Sequence, residues 1–516
     1  MIKIRYCLLL AVLCFSPVAL SAAENNPQSL QELIVLGLKA NLGLKIELTN
    51  VAQSRESIVI EGAEFDSQIL ASTSFAQTKT PFETTLSTVT ENRTKQYAGQ
   101  LGVSQRFRSG LTSTLSVNSQ WESDNDTSND LDPRYRTAIL VDLNQPLLRD
   151  LGAEVNTTNL DISRNQQRQA NLAFLLQAQN LTYQLETIVR QIAGEGQIIE
   201  MRKEAESLAN ELYQANKKRY EAGVIPISEL QEAETAQANR QLDLSLSSQA
   251  YDLLVETLNQ QLNFVLGDNF APSGLMDNKL PDEEADFSDI SALLERALQK
   301  RLELKIVEYT LDNSSLRKRY QLNQLKPQLD LKLQAGLNGL SGRDRGITVG
   351  SSYDNSWLDS FASLSGADGY QWGVGLQFSM PLGNRAAKSR LYQTELQVKQ
   401  EQYRRHDLEA AIKNELLQQQ TNIKRTKEQL EIAQRFAALA LKSLEQEQRR
   451  LDEGLSDTFR MIAFQDKMIS AKIGQVNALT RYHIALAQMD FALGNIFERH
   501  GIILTENAEE LNLENI

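Results

Sequence analysis

Long runs without glycine or proline dominate the second half of the chain. Residues 384–453 contain neither residue type, and a helix over this run would be about 105 Å long at about 1.5 Å per residue. Apolar positions recur within it at spacings of three and four, with Glu447 as the one polar break: Leu430, Ala433, Ala437, Ala440, Leu444 and Leu451. This spacing predicts a coiled-coil seam, and its alanines allow neighbouring helices to approach closely.

The first half repeats this pattern. Residues 153–193 and 227–266 lack glycine and proline, and Leu181, Leu185, Ile188 and Ile192 mark an apolar stripe. We therefore expect two long helical hairpins, one over about 153–266 with its tip near 223–228 and one over about 384–497 with its tip near 454–458.

Segments with a period of two precede each hairpin, within about 65–146 and about 328–380. Residues 329–337 and 370–380 alternate apolar and polar side chains, and 67–77, 97–107, 111–121 and 137–145 also resemble strands. Such segments fit either a half-buried soluble sheet or a transmembrane β-barrel, whose lipid-facing and lumen-facing residues alternate. Two further features favour the barrel. The Gly-, Ser- and Asp-rich stretch 338–369 and the acidic stretch 122–132 are typical of exterior loops, and the aromatic pair Tyr370 and Trp372 is typical of an interfacial belt.

The chain also duplicates itself. An offset of 260 residues pairs the triplet Leu44-Lys45-Ile46 with Leu304-Lys305-Ile306, and an offset of about 231 pairs Gly223 with Gly454. We expect repeats over about 24–266 and 289–497, a Pro-, Gly- and Asp-rich linker at 267–288, and a tail at 498–516.

The first 23 residues have the pattern of a secretory signal peptide. Lys3 and Arg5 precede an apolar run that ends at a small-residue site before Glu24. Both cysteines, Cys7 and Cys14, lie inside it, so we expect a mature chain without thiols. Lipidation at Cys14 is the alternative, although the preceding Leu13 is bulky for that processing.

Charge and motif content exclude several functions. Loss of Lys3 and Arg5 takes the formal net charge from −13 to −15, which repels phosphate backbones and argues against a nucleic-acid partner. No stretch after the signal approaches the roughly 18 apolar residues of a membrane-spanning helix. His406, His483 and His500 are isolated in the sequence, and no HExxH, P-loop or nucleophile elbow is present. We expect no catalytic, metal or cofactor site.

Several motifs together resemble the TolC-like outer-membrane efflux family (outer membrane factors). Each strand region ends at a Pro-Leu boundary, Gln145-Pro146-Leu147 and Met380-Pro381-Leu382, before a long hairpin. A more specific signature is Arg219-Tyr220-Glu221-Ala222-Gly223-Val224-Ile225-Pro226-Ile227-Ser228-Glu229-Leu230, with a degenerate copy over 450–459. The resemblance covers nearly all of the chain after the signal.

The resemblance implies an α+β, tandem-duplicated fold in a homotrimer. Three copies would share a transmembrane β-barrel in outer-membrane lipid, continued through the periplasm by an α-helical coiled-coil barrel. The hairpin tips would meet a periplasmic adaptor protein linked to an inner-membrane transporter. The family usually places four strands per copy in the barrel, whereas up to six strand-like segments are present here, including two that flank Arg108-Ser109-Gly110 and would form either an extra hairpin or a wider barrel.

The resemblance also implies the site residues. The adaptor-contact tips are Gly223, Val224, Ile225, Pro226, Ile227 and Ser228, with Gly454, Leu455, Ser456, Asp457 and Thr458. A periplasmic gate would contain Glu229 and Glu232, while Arg460 departs from an all-acidic entrance. Independently, Gly223 and Gly454 stand where helices end in a left-handed conformation. Ser29 with Glu32, and Ser228 with Gln231, have capping-box spacing.

The favoured function is an exit duct of a tripartite efflux pump or a type I secretion system. The sequence leaves the cargo open. A periplasmic coiled-coil scaffold or tether without a pore is the alternative, and a stand-alone porin is disfavoured because it needs no helices of about 100 Å.

Overall fold

The computed structural model describes residues 27, 29–81, 91–126, 129–264, 287–345, 355–367 and 369–502. The signal segment predicted at 1–23, nearly all of the linker predicted at 267–288 and residues 503–516 of the predicted tail lie outside these ranges.

The helices of the described residues fall into two corresponding series. The first contains α1 (Leu30–Ala40), α2 (Leu42–Gly62), α3 (Ala153–Asn156), α4 (Thr158–Glu221) and α5 (Ile227–Gln261). The second contains α6 (Ile290–Lys300), α7 (Leu302–Gln324), α8 (Trp357–Ala362), α9 (Arg385–Asp452), α10 (Thr458–Ala492) and α11 (Ile496–Arg499). In both repeats, a short helix and a longer one precede the strands, and a long hairpin follows them.

Each hairpin has one very long outgoing helix and a shorter returning helix. Helices α4 and α9 contain 64 and 68 residues, whereas α5 and α10 contain 35 each. The returning helices cover only the half of α4 and α9 that is nearer the tips. The other half of α4 packs against α2 and α7, and α9 also packs against α7.

The predicted seams are partly buried, with Ile188, Ala433, Leu444 and Leu451 only half-buried. Leu181, Leu185 and Ile192 are at most 3% exposed, and Leu430, Ala437 and Ala440 are at most 6% exposed. Between the repeats, α4 approaches α10 closely because Gly194 has no side chain. A Cβ atom at this position would lie 2.6 Å from Thr480 Oγ1, so the contact depends on glycine.

A buried ion cluster joins α4 to the end of the second repeat. Glu186 is 0% exposed and accepts a hydrogen bond from Arg190 Nη2 at 2.7 Å, and its Oε2 lies 3.0 Å from His500 Nε2. Arg499 lies 3.5 Å from Glu186 and pairs with Asp490. Burial raises the pKa of Glu186, but His500, Arg499 and Arg190 outweigh it and lower the pKa to about 2.

The described residues form one antiparallel sheet of six strands in chain order. They are β1 (Gln68–Pro81), β2 (Glu91–Arg106), β3 (Thr112–Asp124), β4 (Leu131–Pro146), β5 (Gln328–Asp344) and β6 (Gly369–Ser379). The contact between the two repeats within the sheet is the β4–β5 pair, in which Ile139 lies opposite Leu337.

The two faces of the sheet differ in polarity. One face carries rows of residues that lie opposite each other in neighbouring strands. One such row contains Ala71, Leu101, Val117, Ile139, Leu337 and Tyr370. On this face Leu101 is 59% and Trp372 73% exposed. The opposite face carries side chains such as Gln100, Asn118 and Gln120, which line a concave region of about 680 Å³. The sheet therefore curves with its polar face inside and its apolar face outside.

Helix α8 covers a small polar patch on the apolar face. Thr137 Oγ1 lies 2.8 Å from Ser360 Oγ, and Trp357 Nε1 donates to Ser119 Oγ at 2.9 Å. A Cβ atom on Gly339 would lie 2.0 Å from the Ser360 carbonyl oxygen. Small and polar residues thus replace apolar ones where the helix docks.

The exterior loops are shorter than predicted. Strand β3 continues to Asp124, and β4 already begins at Leu131, within the stretch predicted as a loop. Strand β5 also continues to Asp344. The ion pair between Arg134 and Asp124, at 2.8 Å, holds the ends of β3 and β4 together.

One predicted cap is present and another is wrong. Ser29 Oγ accepts from the Glu32 amide at 3.2 Å. Ser228 does not cap α5, because that helix begins at Ile227 after the extended residue Pro226, with no side-chain cap. Ser228 is therefore already inside the first turn.

Within the described parts of the chain, no helix combines the length and apolar character needed to cross a membrane.

We expect Glu186→Gln to destabilise the protein by about 3–5 kcal/mol, because it removes the acid that compensates the buried guanidinium group of Arg190. Since the folded pKa lies below the usual 4.5, the stabilising contribution of Glu186 is complete above pH 4.5. It is lost as the pH falls towards 2. Thermal unfolding in detergent across this pH range measures both effects.

Glu200→Gln is the matched control on the same helix. Glu200 pairs with Lys203 at 2.8 Å on an exposed surface, so its loss should cost less than about 1 kcal/mol. Equal destabilisation by the two variants would contradict the assignment of a buried, stabilising cluster.

Candidate functional site

The first hairpin tip is a turn that glycine makes possible. Helix α4 ends at Glu221, and Gly223 has φ +71°. The Gly223 amide donates to the Tyr220 carbonyl and the Val224 amide to the Arg219 carbonyl, both at 2.9 Å. These two bonds form a Schellman motif, which satisfies carbonyls at the helix end.

The second tip repeats this geometry. Gly454 has φ +74°. Its amide donates to the Leu451 carbonyl at 3.0 Å, and the Leu455 amide donates to the Arg450 carbonyl at 2.7 Å. Asp457 then caps α10 by accepting from the Arg460 amide at 2.8 Å.

Both tips expose apolar side chains. Val224 and Ile227 are 66% and 53% exposed in the first tip, and Leu455 and Phe459 are 64% and 67% exposed in the second. Ile225 is only 8% exposed, so its side chain packs inside the turn. The apolar surface near the first tip thus comes from Val224 and Ile227.

A buried polar node ties the two tips together. Thr458 is 1% exposed, accepts from Asn216 Nδ2 and donates to Glu229 Oε2, both at 2.9 Å. The Asn216 side chain also donates to the Glu229 carbonyl at 3.3 Å. Glu229 is therefore held in a contact between the repeats.

Further from the tips, a groove of about 440 Å³ separates α5 from α10. Arg240 lies in this groove and pairs with Asp466 across it. Arg202 approaches from α4 and pairs with Asp243 at 2.6 Å. Burial lowers the pKa of Arg240, although Asp243 raises it. The groove thus contains a cationic link between the two repeats.

The three predicted gate residues lie in different environments. Glu229 joins the node, and Glu232 is exposed at the wall of the groove. Arg460 faces its own helix cap, with its Nε 3.9 Å from Asp457. The link across the groove is made by Arg240 and Asp466, which the sequence analysis missed. No spacing in the sequence marks this pair, because it depends on how α5 packs against α10.

The histidines do not converge. His406 is exposed on α9, His483 is buried in α10, and His500 belongs to the ion cluster with Glu186. Within the described ranges, no group of histidine, cysteine, aspartate or glutamate residues could hold a metal ion.

The fold combines a curved sheet, apolar outside and polar inside, with helical hairpins about 100 Å long. This combination defines an outer-membrane channel subunit. The described chain has the fold of three solved outer-membrane proteins. It is similar to the outer-membrane channel OprN, with 15% identity, 90% coverage of both chains and a TM-score of 0.62.

Two further structures show the same likeness. The Campylobacter jejuni CmeC outer membrane channel is 14% identical, with a TM-score of 0.61 over 90% of this chain and 86% of that chain. The outer membrane protein VceC from Vibrio cholerae is 12% identical, with a TM-score of 0.60 over 90% of this chain and 96% of that chain. No curated protein sequence matches the chain.

Residues 293–495 match the model of the family described as outer membrane efflux protein. This match confirms the resemblance to the TolC-like outer-membrane efflux family. The predicted α+β tandem fold, the outer-membrane localisation and the efflux-channel class are confirmed with it.

We expect Gly223→Ala to loosen the first tip, because an alanine at φ +71° costs about 1–2 kcal/mol. No atom lies within 4 Å of the added Cβ, so the cost is conformational only. Hydrogen exchange of the Val224 amide should become roughly tenfold faster, since about 1.4 kcal/mol corresponds to a factor of ten.

Gly474→Ala is the matched control. Gly474 lies inside α10, also has no atom within 4 Å of an added Cβ, and does not have a left-handed φ. Alanine should be neutral or stabilising there by about 0.5–1 kcal/mol. Unchanged tip exchange in Gly223→Ala would show that the turn tolerates a side chain.

Proposed function

We propose that the protein is the outer-membrane exit duct of an export system, assembled from three copies and joined at its hairpin tips to a periplasmic adaptor. The observation that carries this proposal is the direct continuation of an outwardly apolar, inwardly polar sheet into helices of 64 and 68 residues. A lumen lined by the polar face would continue between the helices towards the tips.

The exposed apolar residues support the adaptor contact. More than half of each apolar residue is accessible at the tips, for Val224 and Ile227 in the first tip and for Leu455 and Phe459 in the second. Exposed apolar groups at a turn gain free energy when a partner covers them, at about 25 cal/mol per Å². An apolar surface on the adaptor would fit these positions.

The contacts between the repeats support a gate. The node of Asn216, Thr458 and Glu229 holds the two tips against each other, and the Arg240–Asp466 pair holds α5 against α10. Opening of the entrance would separate these elements. Glu232 lies at the groove wall, where its carboxylate would face cations that pass.

A periplasmic scaffold without a pore is disfavoured. It would leave the apolar face of the sheet in water, including Trp372 at 73% and Leu376 at 67% exposure. Lipid removes the free-energy cost of exposing these apolar side chains to water, because it covers the outer face of a closed barrel.

We expect a photo-crosslinker on Val224→Cys or Leu455→Cys to capture the periplasmic adaptor in cells, identified by mass spectrometry. The chain's two cysteines, Cys7 and Cys14, lie in the predicted signal, so the attachment site is unique. Ile432→Cys is the control, because Ile432 is 63% exposed and lies about 30 Å from the tip along α9. Failure to recover an adaptor from either tip, or equal recovery from Ile432, would count against tip docking.

We expect Arg240→Asp to increase the leak conductance of the channel in planar bilayers, because it places two acids together across the groove. Asp466→Arg should act in the same direction, and the double exchange should restore a low conductance. Arg425→Asp is the control, since Arg425 is exposed and pairs with Glu428 on its own helix at 2.9 Å. A double exchange as leaky as the single variants would contradict a specific link.

A further inference from the structure

The strand number of this chain departs from four strands per copy. All six strands belong to one sheet, and each neighbouring pair is continuous in register apart from one shift near Leu131. Within the described residues, β1 and β6 are the edge strands, and each pairs with a neighbour on one side only. A single copy thus presents two open edges.

These edges are suited to copies of the same chain. Strand β1 leaves the helical end of the molecule after α2, and β6 returns to it before α9. The two edges therefore run in opposite directions. If β1 of one copy pairs with β6 of the next, the alternation of strand direction continues around the ring, as an antiparallel barrel with an even strand number requires.

The added hairpin is fixed to the helical base. Its turn lies between β2 and β3, and the Gly152 amide donates to the Ser109 carbonyl at 3.1 Å. Arg106 pairs with Glu64, and its Nη2 donates to Asn156 at 2.9 Å. Gly110 allows this close approach, because a Cβ atom there would lie 2.5 Å from the Asp150 carbonyl oxygen.

Strands β2 and β3 also have the two faces of the other strands. Tyr97, Leu101 and Leu115 on the outer face are 54%, 59% and 49% exposed. Gln100 and Asn118 line the concave face. Both strands therefore need lipid on one side and water on the other, so they are part of the barrel wall.

We propose that three copies close one eighteen-stranded barrel, in which each copy contributes all six strands and β1 pairs with β6 of its neighbour. This inference rests on the trimeric duct proposed above. At about 4.8 Å between strands and a tilt of about 40°, the backbone radius is about 18 Å, against about 12 Å for twelve strands. Barrels of this strand number enclose an aqueous channel.

The strand number affects which cargo can pass the membrane segment. A ring of eighteen strands is wide enough that the membrane segment does not set the size limit of the duct. Bulky cargo that passes the helical entrance would leave through the barrel without a second constriction from the strands. The residues between α5 and α10 would then govern size selection.

Spin-label distances between copies test the strand number. We expect labels on Leu101→Cys in β2 and Val374→Cys in β6 to report similar distances, with backbone separations of about 31 Å between copies. Both residues are exposed on the outer face, at 59% and 64%. A ring of four strands per copy would place Val374 only about 21 Å from its equivalents, with Leu101 further out if its hairpin lay outside the ring.

Ile432→Cys on α9 is the reference label, because its distance does not depend on strand number. A defined distance between copies at Ile432, together with about 21 Å at Val374, would overturn the eighteen-stranded ring while leaving the trimeric duct intact. No distance between copies at Ile432 would contradict the trimer and the wider barrel together. Distances near 31 Å between copies at both Leu101 and Val374 would support the trimer and the eighteen-stranded barrel.

Discussion

A curved sheet with an apolar outer face and two open edges is incomplete in a single copy of the chain. Every backbone amide and carbonyl within a bilayer needs a hydrogen-bond partner, because lipid offers none. In the part of the chain that the structure describes, β1 and β6 each leave one side unpaired in a single copy. Closure with further copies is therefore the condition under which the apolar face can lie in lipid and the polar face in water.

The long helices are also constrained by their shape. Rods of 64 and 68 residues cannot gain stability from one compact core, so their burial is distributed along narrow seams. Alanines such as Ala437 and Ala440, at 6% and 2% exposure, permit close packing but bury little area each. Specific polar contacts, such as Glu186 with His500, then fix which helices meet along these seams.

The sequence predicted those elements whose signal is local. The period of the seams, the left-handed positions of Gly223 and Gly454, and the alternation in the strands all follow from neighbouring residues. Contacts between distant segments left no such signal, which is why Arg240 with Asp466 and Glu186 with His500 were missed. The cap predicted at Ser228 failed because Pro226 already has the extended conformation that precedes a helix, so α5 begins one residue before Ser228.

The two ends of the molecule therefore have different physical roles. In the barrel proposed above, hydrogen-bond closure would fix a wide ring at the sheet, whose dimensions follow from strand number and tilt. At the helical end, a few side-chain contacts hold the repeats together, and Asp466 in the Arg240 pair, further from the tips, remains about half exposed. Partly exposed ion pairs contribute about 1 kcal/mol or less, so a partner that covers the apolar tip residues can supply enough free energy to separate them. In the proposed duct, control of passage would therefore lie at the helical end, where the contacts are weakest, and not at the sheet, where the ring would be widest.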